Sequence, residues 1–260
     1  IIVHDHPQAG DDGIKAFIAA IPRSAKLQPK LVSARGGHRA LAANAGLAEA
    51  TGAFVHFLDD DDIVLPGFHD ETLGLLTSSK KFGAAAAKSM RVLERPSPTG
   101  ETYEAISRSP HYPEVKAISL ASMAVNQPFP LISILFRREA ILETGPMDEN
   151  FEVCEDYEFL LRFLCHYDIA VVGKTLAHFH QRLAADAAHG NSAATTDYPS
   201  EIAYFRNAML RRDIKSGHVG LGWLLAVGEL SAGSVKTDRL LQRFSKMKLF
   251  RSMYGWLRKG

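Results

Sequence analysis

Four consecutive aspartates, Asp59 to Asp62, follow directly on the apolar run Ala53–Leu58. Adjacent carboxylates repel one another, and the end of a strand leaving a core is a costly place to gather them. In parallel sheets the carboxyl ends of the strands are where ligands bind. A hard divalent cation such as Mg²⁺ or Mn²⁺ would offset the repulsion, because it prefers oxygen ligands and shares them with substrate phosphates. A solvated acidic turn favouring the dipole of the next helix explains the same residues. The cluster by itself leaves both readings open.

Around it the chain alternates short β-branched runs with Ala-rich helical spacing. Strands are expected at Ile1–His4, Lys30–Ser33 and Ala53–Leu58, and helices at about 14–21, 38–50 and 67–78. Thr51-Gly52 reads as the end of the second helix, with glycine as a left-handed cap. This order predicts an α/β fold with a mixed, mainly parallel sheet flanked by helices. From Phe82 to Pro130 six prolines interrupt the pattern, and short extended pieces among irregular loops are expected. Beyond it come a strand at 131–136, helices at 138–143 and 155–165, and two strands at 169–172 and 175–179. A loop rich in small and polar residues, 184–199, suits a lid, and helices at 200–215 and about 236–257 close the chain.

Three blocks then stand out together: Asn44-Ala45-Gly46-Leu47, Ala50-Thr51-Gly52, and Phe54 to Leu58 running into Asp59-Asp60-Asp61-Asp62. Nearly ninety residues on lie Gly145-Pro146-Met147-Asp148-Glu149, Phe151, Glu155-Asp156-Tyr157-Glu158-Phe159 and Arg162. In order and spacing these blocks resemble glycosyltransferase family 2, with its Asn-x-Gly helix, Leu-Asp-x-Asp-Asp strand end and Glu-Asp-aromatic helix. Met147 stands where the family carries an aromatic, and Ala43 where it often carries Arg. The resemblance covers roughly residues 1–182 and implies the Rossmann-like GT-A fold. It also implies that Ile1–Asp5 is the family's second strand, so that the chain is expected to lack the first. The expected domains are an N-terminally incomplete GT-A domain, 1–217, and a basic amphipathic helical tail, 218–260.

The same resemblance implies roles. Asp59 and Asp61 form the Asp-x-Asp motif, with Asp61 on a Mn²⁺ or Mg²⁺ ion that bridges the diphosphate of a nucleotide-sugar. Asp59 or Asp60 touches the ribose. Asp5 accepts from the base, Arg39 offsets phosphate charge, and Asn44 either packs within its helix or meets the ligand. Asp156 is the general base of an inverting transfer, taking the acceptor hydroxyl's proton. Glu155 lies on a different helix face and is assigned to the donor. His180 completes the metal shell or meets the diphosphate, with Arg182 beside it. Arg137 and Arg138 are expected on the acceptor side. The implied reaction moves a sugar to a polysaccharide or lipid-linked glycan acceptor, as in cell-envelope polysaccharide synthesis.

Other classes fit less of the chain. Asp60-x-Asp62 after Phe57-Leu58 superficially fits a haloacid-dehalogenase-like phosphatase, but that leaves the Asn44 and Asp156 blocks unexplained. A non-catalytic GT-A scaffold or sugar-binding domain would not require Asp61 and Asp156. No Gly-x-Gly-x-x-Gly follows the first strand, which disfavours a dinucleotide oxidoreductase. Net charge is +1, so bulk electrostatics gives no argument for nucleic acid. Residues 236–260 nevertheless carry eight Lys or Arg against Asp238 alone. That tail either docks through its apolar stripe or makes a peripheral contact with the cytoplasmic face of a membrane. Cys154 and Cys165 lack metal-ligand spacing and read as reduced core thiols of a cytoplasmic protein.

Overall fold

The computed structural model describes residues 1–5, 10–22, 24, 28–34, 36–97, 99, 102–182 and 197–232. The expected lid segment at 184–196 and the expected helix at 236–257 lie outside them. Packing divides the chain into two compact units. One comprises Ile1–Leu120 with Gln127–Phe205, the other Ala121–Asn126 with Arg206–Gly260.

The first unit is mixed α/β. Strands β1 (Ile2–His4) and β2 (Leu31–Ser33) pair in parallel as a small sheet, with Val3 opposite Val32. Helix α1 (Asp12–Ala20) connects them, and α2 (Arg39–Glu49) follows. Gly46 lets α2 approach β1, since a Cβ there would lie 2.9 Å from Val3 Cγ2. The second sheet holds β3 (Phe54–His56), β4 (Ile63–Val64), β5 (Phe82–Pro96), β6 (Tyr103–His111), β7 (Ile134–Arg137) and β8 (Asp168–Arg182). Their order is β3-β7-β5-β8-β4, with β6 paired to β5.

This sheet is mixed, as expected, but not mainly parallel. Of the six pairings in the two sheets, β1–β2 and β5–β8 are parallel and the other four antiparallel. The reason lies in the middle of the chain, where β7 returns antiparallel between β3 and β5. Two long strands, β5 and β6, replace the short pieces expected there. The β5 stretch Gly83-Ala84-Ala85-Ala86-Ala87 has a helix former's composition, and tertiary packing overrides that preference. All four alanines are fully buried, so the sheet's neighbours approach closely on both faces. The end of α2 also differs from expectation. Its cap is Ala50 in extended conformation, and Gly52 is not left-handed.

Helix α3 (Phe68–Ser78) lays Phe68 and Leu76 on Ala85, Ala87, Leu135 and Val172. Helix α6 (Glu155–Leu164) packs Phe159 and Phe163 against Phe136, with ring centroids 5.8 and 5.2 Å away. Burying each such ring stabilises the fold by about 1.5–3 kcal/mol. Gly83 makes room for this layer, because a Cβ there would come within 2.6 Å of Tyr167. Between β7 and α6 lies α5 (Arg138–Thr144), which ends at Gly145 with φ +91°. Arg162 secures that turn. It pairs with buried Glu158 and donates to Thr144 O and Pro146 O, each at 2.7 Å. The other α-helices among the described residues are α4 (Leu120–Val125), α7 (Tyr198–Ser216) and α8 at residues 221–232. No helix among the described residues is long and apolar enough to cross a membrane.

Candidate active site

The acidic run forms the turn between β3 and β4, closed by Asp62 N donating to Asp59 O. Phe57, two residues before the acids, sits edge-on to Phe136 and Phe159. The turn and the start of α6 thus share one aromatic anchor. Strand β4 then pairs with β8, Ile63 opposite His178, and delivers the end of β8 to the acids.

One carboxylate oxygen from each of Asp59, Asp61 and Asp62 falls within a cluster no wider than 4.8 Å. Asp62, not assigned a role from sequence, is the most enclosed, its side chain only 3% exposed. It accepts the His180 backbone N–H at 2.8 Å. Burial, reinforced by Asp61 and Asp59, pushes its carboxyl up to about 7 despite that hydrogen bond. Asp59 is open to solvent as a residue, yet the protein crowded around its carboxyl raises it, with Asp61, Asp156 and Asp60 adding to the effect. Burial holds the Asp59 and Asp62 carboxyls back from ionising while their oxygens face that of Asp61, and such a set of close oxygens fits a divalent cation. Asp60 is exposed at the tip of the turn.

Around the cluster, β8 supplies His180 and Arg182. The His180 ring lies with Nδ1 3.8 Å from Asp62 Oδ1 and Nε2 3.8 Å from Glu94 Oε1. It stands beside the three-carboxylate group rather than within it. Arg182 Nη1 is 3.8 Å from Asp61 Oδ2, and its guanidinium stacks over the Tyr103 ring at 4.4 Å. Register explains the grouping, since Val92 pairs with His180 and Glu94 with Arg182. Sequence reasoning missed Glu94 and Tyr103, which lie on the two strands it did not foresee.

The second motif block faces the first. Asp156, in the first turn of α6, accepts from Gln127 Nε2 at 2.8 Å and from Tyr157 N at 2.7 Å. Gln127 had no signal in sequence, being one polar residue in a proline-rich stretch. Arg39, the first residue of α2, reaches Glu155 at 2.5 Å and also feels Asp156 and Asp59. Glu155 is almost fully buried, and its Oε2 has no hydrogen-bond partner among the described residues. Burial first and Asp156 second hold its carboxyl well above the usual range. Arg39 is therefore the cation between the two acid groups.

Several expected ligands have other work. Asp5 accepts the backbone N–H groups of Gly36, Gly37 and His38, the last at 2.6 Å, and so anchors the loop before α2. Asn44 donates to Met147 O and Glu149 Oε1 and accepts from Met147 N, which uses both its N–H groups. It ties the two motif blocks together and leaves no donor for a ligand. Arg137 donates to the carbonyls of Phe82, Leu76 and Ser79 and packs over Phe54, so it supports β3 from behind. Only one cysteine belongs to the core. Cys154 is buried, its thiol pushed up to about 12 by burial and by Asp156 and Glu155, whereas Cys165 is exposed.

No protein-family model and no curated protein matches the chain. Among solved structures, S. aureus TarS (residues 1–349) aligns at 15% identity and a TM-score of 0.46, over 68% of this chain and 50% of that one. A mycobacterial protein aligns at 18% identity and a TM-score of 0.33, over 69% of this chain and 54% of that one. The chain spans about half the length of these two structures.

Proposed function

We propose that the chain is a metal-dependent inverting glycosyltransferase that uses a nucleotide-sugar donor and a polysaccharide or lipid-linked glycan acceptor. The observation that carries this reading is the convergence of Asp59, Asp61 and Asp62 on one small volume, electrostatically coupled to Asp156 of the second block. Asp61 and Asp62, with Asp59, hold a Mn²⁺ or Mg²⁺ ion, and His180 backs Asp62 from β8. When bound, such an ion supplies positive charge to a departing diphosphate.

The protein's own groups do the rest. Asp156 is the base, held by Gln127 and by the first turn of α6, and takes the acceptor hydroxyl's proton on its carboxylate. Arg39 and Arg182 supply positive charge beside the acids for the donor's phosphates. Asp60, which is exposed at the tip of the turn, is the residue that this reading assigns to the ribose. Glu155 fixes the Arg39 guanidinium, and Asp5 shapes the loop that leads into it.

The test is a donor panel. UDP-, GDP- and dTDP-sugars are incubated with Mn²⁺ and the protein, and nucleotide release is measured with and without EDTA. Metal-dependent release from one donor supports the reading, and the anomeric configuration of the product by NMR decides inversion. No release, and no thermal shift with any nucleotide, sinks it.

A further inference from the structure

Charge is divided sharply between the two compact units. The second unit, Ala121–Asn126 with Arg206–Gly260, holds twelve Lys or Arg against three acids, a net +9. The other unit holds eighteen against twenty-six, a net −8. Two of the second unit's three acids are engaged. Asp213 accepts from Gly220 N and Trp223 N and caps α8, while Glu229 pairs with Arg206 at 3.2 Å.

Helix α8 is apolar on two opposite sides. Its inner side is Gly222, Leu225 and Gly228, all buried. A Cβ on Gly222 would lie 2.4 Å from Met209 O, and one on Gly228 2.8 Å from Ala124 O, so this side is locked against backbone. The outer side is Trp223, Val227 and Leu230, spaced i, i+4, i+7 and exposed by 43, 60 and 76%. Val219 just ahead of the helix is 86% exposed, and Ile214 on α7 61%. Exposed Arg211, Arg212 and Lys215 lie on α7 close by in sequence. A contiguous apolar stripe of this kind on a soluble unit marks a contact surface.

We propose that the outer side of α8 lies on an anionic lipid surface, with Trp223, Val227 and Leu230 entering the headgroup boundary and Arg211, Arg212 and Lys215 meeting the lipid charge. An interfacial helix combines an apolar side with an aromatic ring and cationic residues beside it, and no helix among the described residues is long and apolar enough to span. A two-fold contact in which this same face of two copies meets is disfavoured, since each copy would bring +9 to it. Nucleic acid would satisfy the charge but has no use for Val219, Val227 and Leu230. This surface is independent of the transferase reading, because lipid binding needs neither donor nor turnover.

The test is sedimentation of the full chain with phosphatidylcholine vesicles, with and without phosphatidylglycerol, at low and high salt. Binding to the anionic vesicles alone, weakened at high salt, is expected. The variant Trp223→Ser/Val227→Ser/Leu230→Ser, its folding checked by circular dichroism, should lose about tenfold or more in vesicle affinity although every basic residue remains. Full-strength binding by that variant would assign the contact to charge alone and overturn the proposal. So would no binding at low salt, or self-association that the triple variant abolishes. In a Trp256→Phe background Trp223 is the sole tryptophan. Its emission should shift to the blue on anionic vesicles and be quenched by brominated lipid, and an unchanged spectrum would overturn the proposal independently.

Discussion

Asn44 grips the backbone of Met147 at both polar groups, accepting its N–H at 2.9 Å and donating to its carbonyl at 3.0 Å across 103 positions of sequence. This amide clamp joins the helix before the acidic turn to the loop that leads into Asp156. Asn44→Ala should therefore cost about 1–3 kcal/mol of stability in urea unfolding, the worth of a few part-buried hydrogen bonds. Asn44→Asp should be worse at neutral pH, because a carboxylate would face both Met147 O and Glu149. Wild-type stability in both variants would mean that the clamp is idle.

The metal-free protein should carry a pH signature from Asp62. Its carboxyl ordinarily titrates at 3.8 and in the folded state near 7, so within that window the folded state holds the extra proton. Stability from this group is present at the acid end and is lost as pH rises through about 7. The loss is on the order of 3 kcal/mol for so enclosed a side chain. Asp62→Asn keeps an acceptor for His180 N–H and should flatten that part of the stability profile in EDTA. It should also weaken Mn²⁺ binding, read by titration calorimetry. An unchanged pH profile would place the burden on another acid.

Asp61→Ala should abolish stabilisation by nucleoside diphosphate plus Mn²⁺ while the protein stays folded, because it removes a cation ligand and relieves carboxylate repulsion. Retained Mn²⁺-dependent nucleotide affinity would remove Asp61 from the metal site.

Asp156→Asn preserves shape but cannot take a proton. Turnover should fall by about two to four orders of magnitude with donor affinity nearly unchanged. Gln127→Ala frees one carboxylate oxygen of the same base, and its effect should fall on turnover before affinity. Near-normal turnover in Asp156→Asn would move the base elsewhere.

Much of this site was legible because its residues sit on elements with strong local signals. Helices α2, α3 and α6 carry apolar residues at helical spacing, and the acids follow a β-branched and aromatic run. Residues whose roles depend on tertiary pairing were not legible. Glu94 and Tyr103 meet His180 and Arg182 through the β5–β8 register and the β5–β6 pairing, and an alanine run gives no hint of that strand. Asn44 and Asp5 were visible as motif residues, but a polar side chain that binds backbone reads in sequence like one that binds ligand. Asp62 was hidden in plain view, since four identical residues do not reveal which one the fold encloses.

The Arg39–Glu155 pair should respond asymmetrically to the loss of either member. Arg39 is 55% exposed and can return to water, whereas the Glu155 side chain is 4% exposed, with one oxygen unpartnered among the described residues. Glu155→Gln removes a buried charge and should be neutral or stabilising above neutral pH. Arg39→Gln strands that charge and should destabilise, as breaking one side of a buried pair does. The sign with pH follows from burial, which raises Glu155 above its unfolded value. The folded state then keeps a proton that the unfolded state releases, so stability from this group falls as pH rises. Removing Arg39 raises Glu155 further, and the loss should extend to higher pH. Urea unfolding of the two single variants and the double, across pH 5 to 9, measures the coupling. Equal destabilisation by both single variants, independent of pH, would refute the asymmetry.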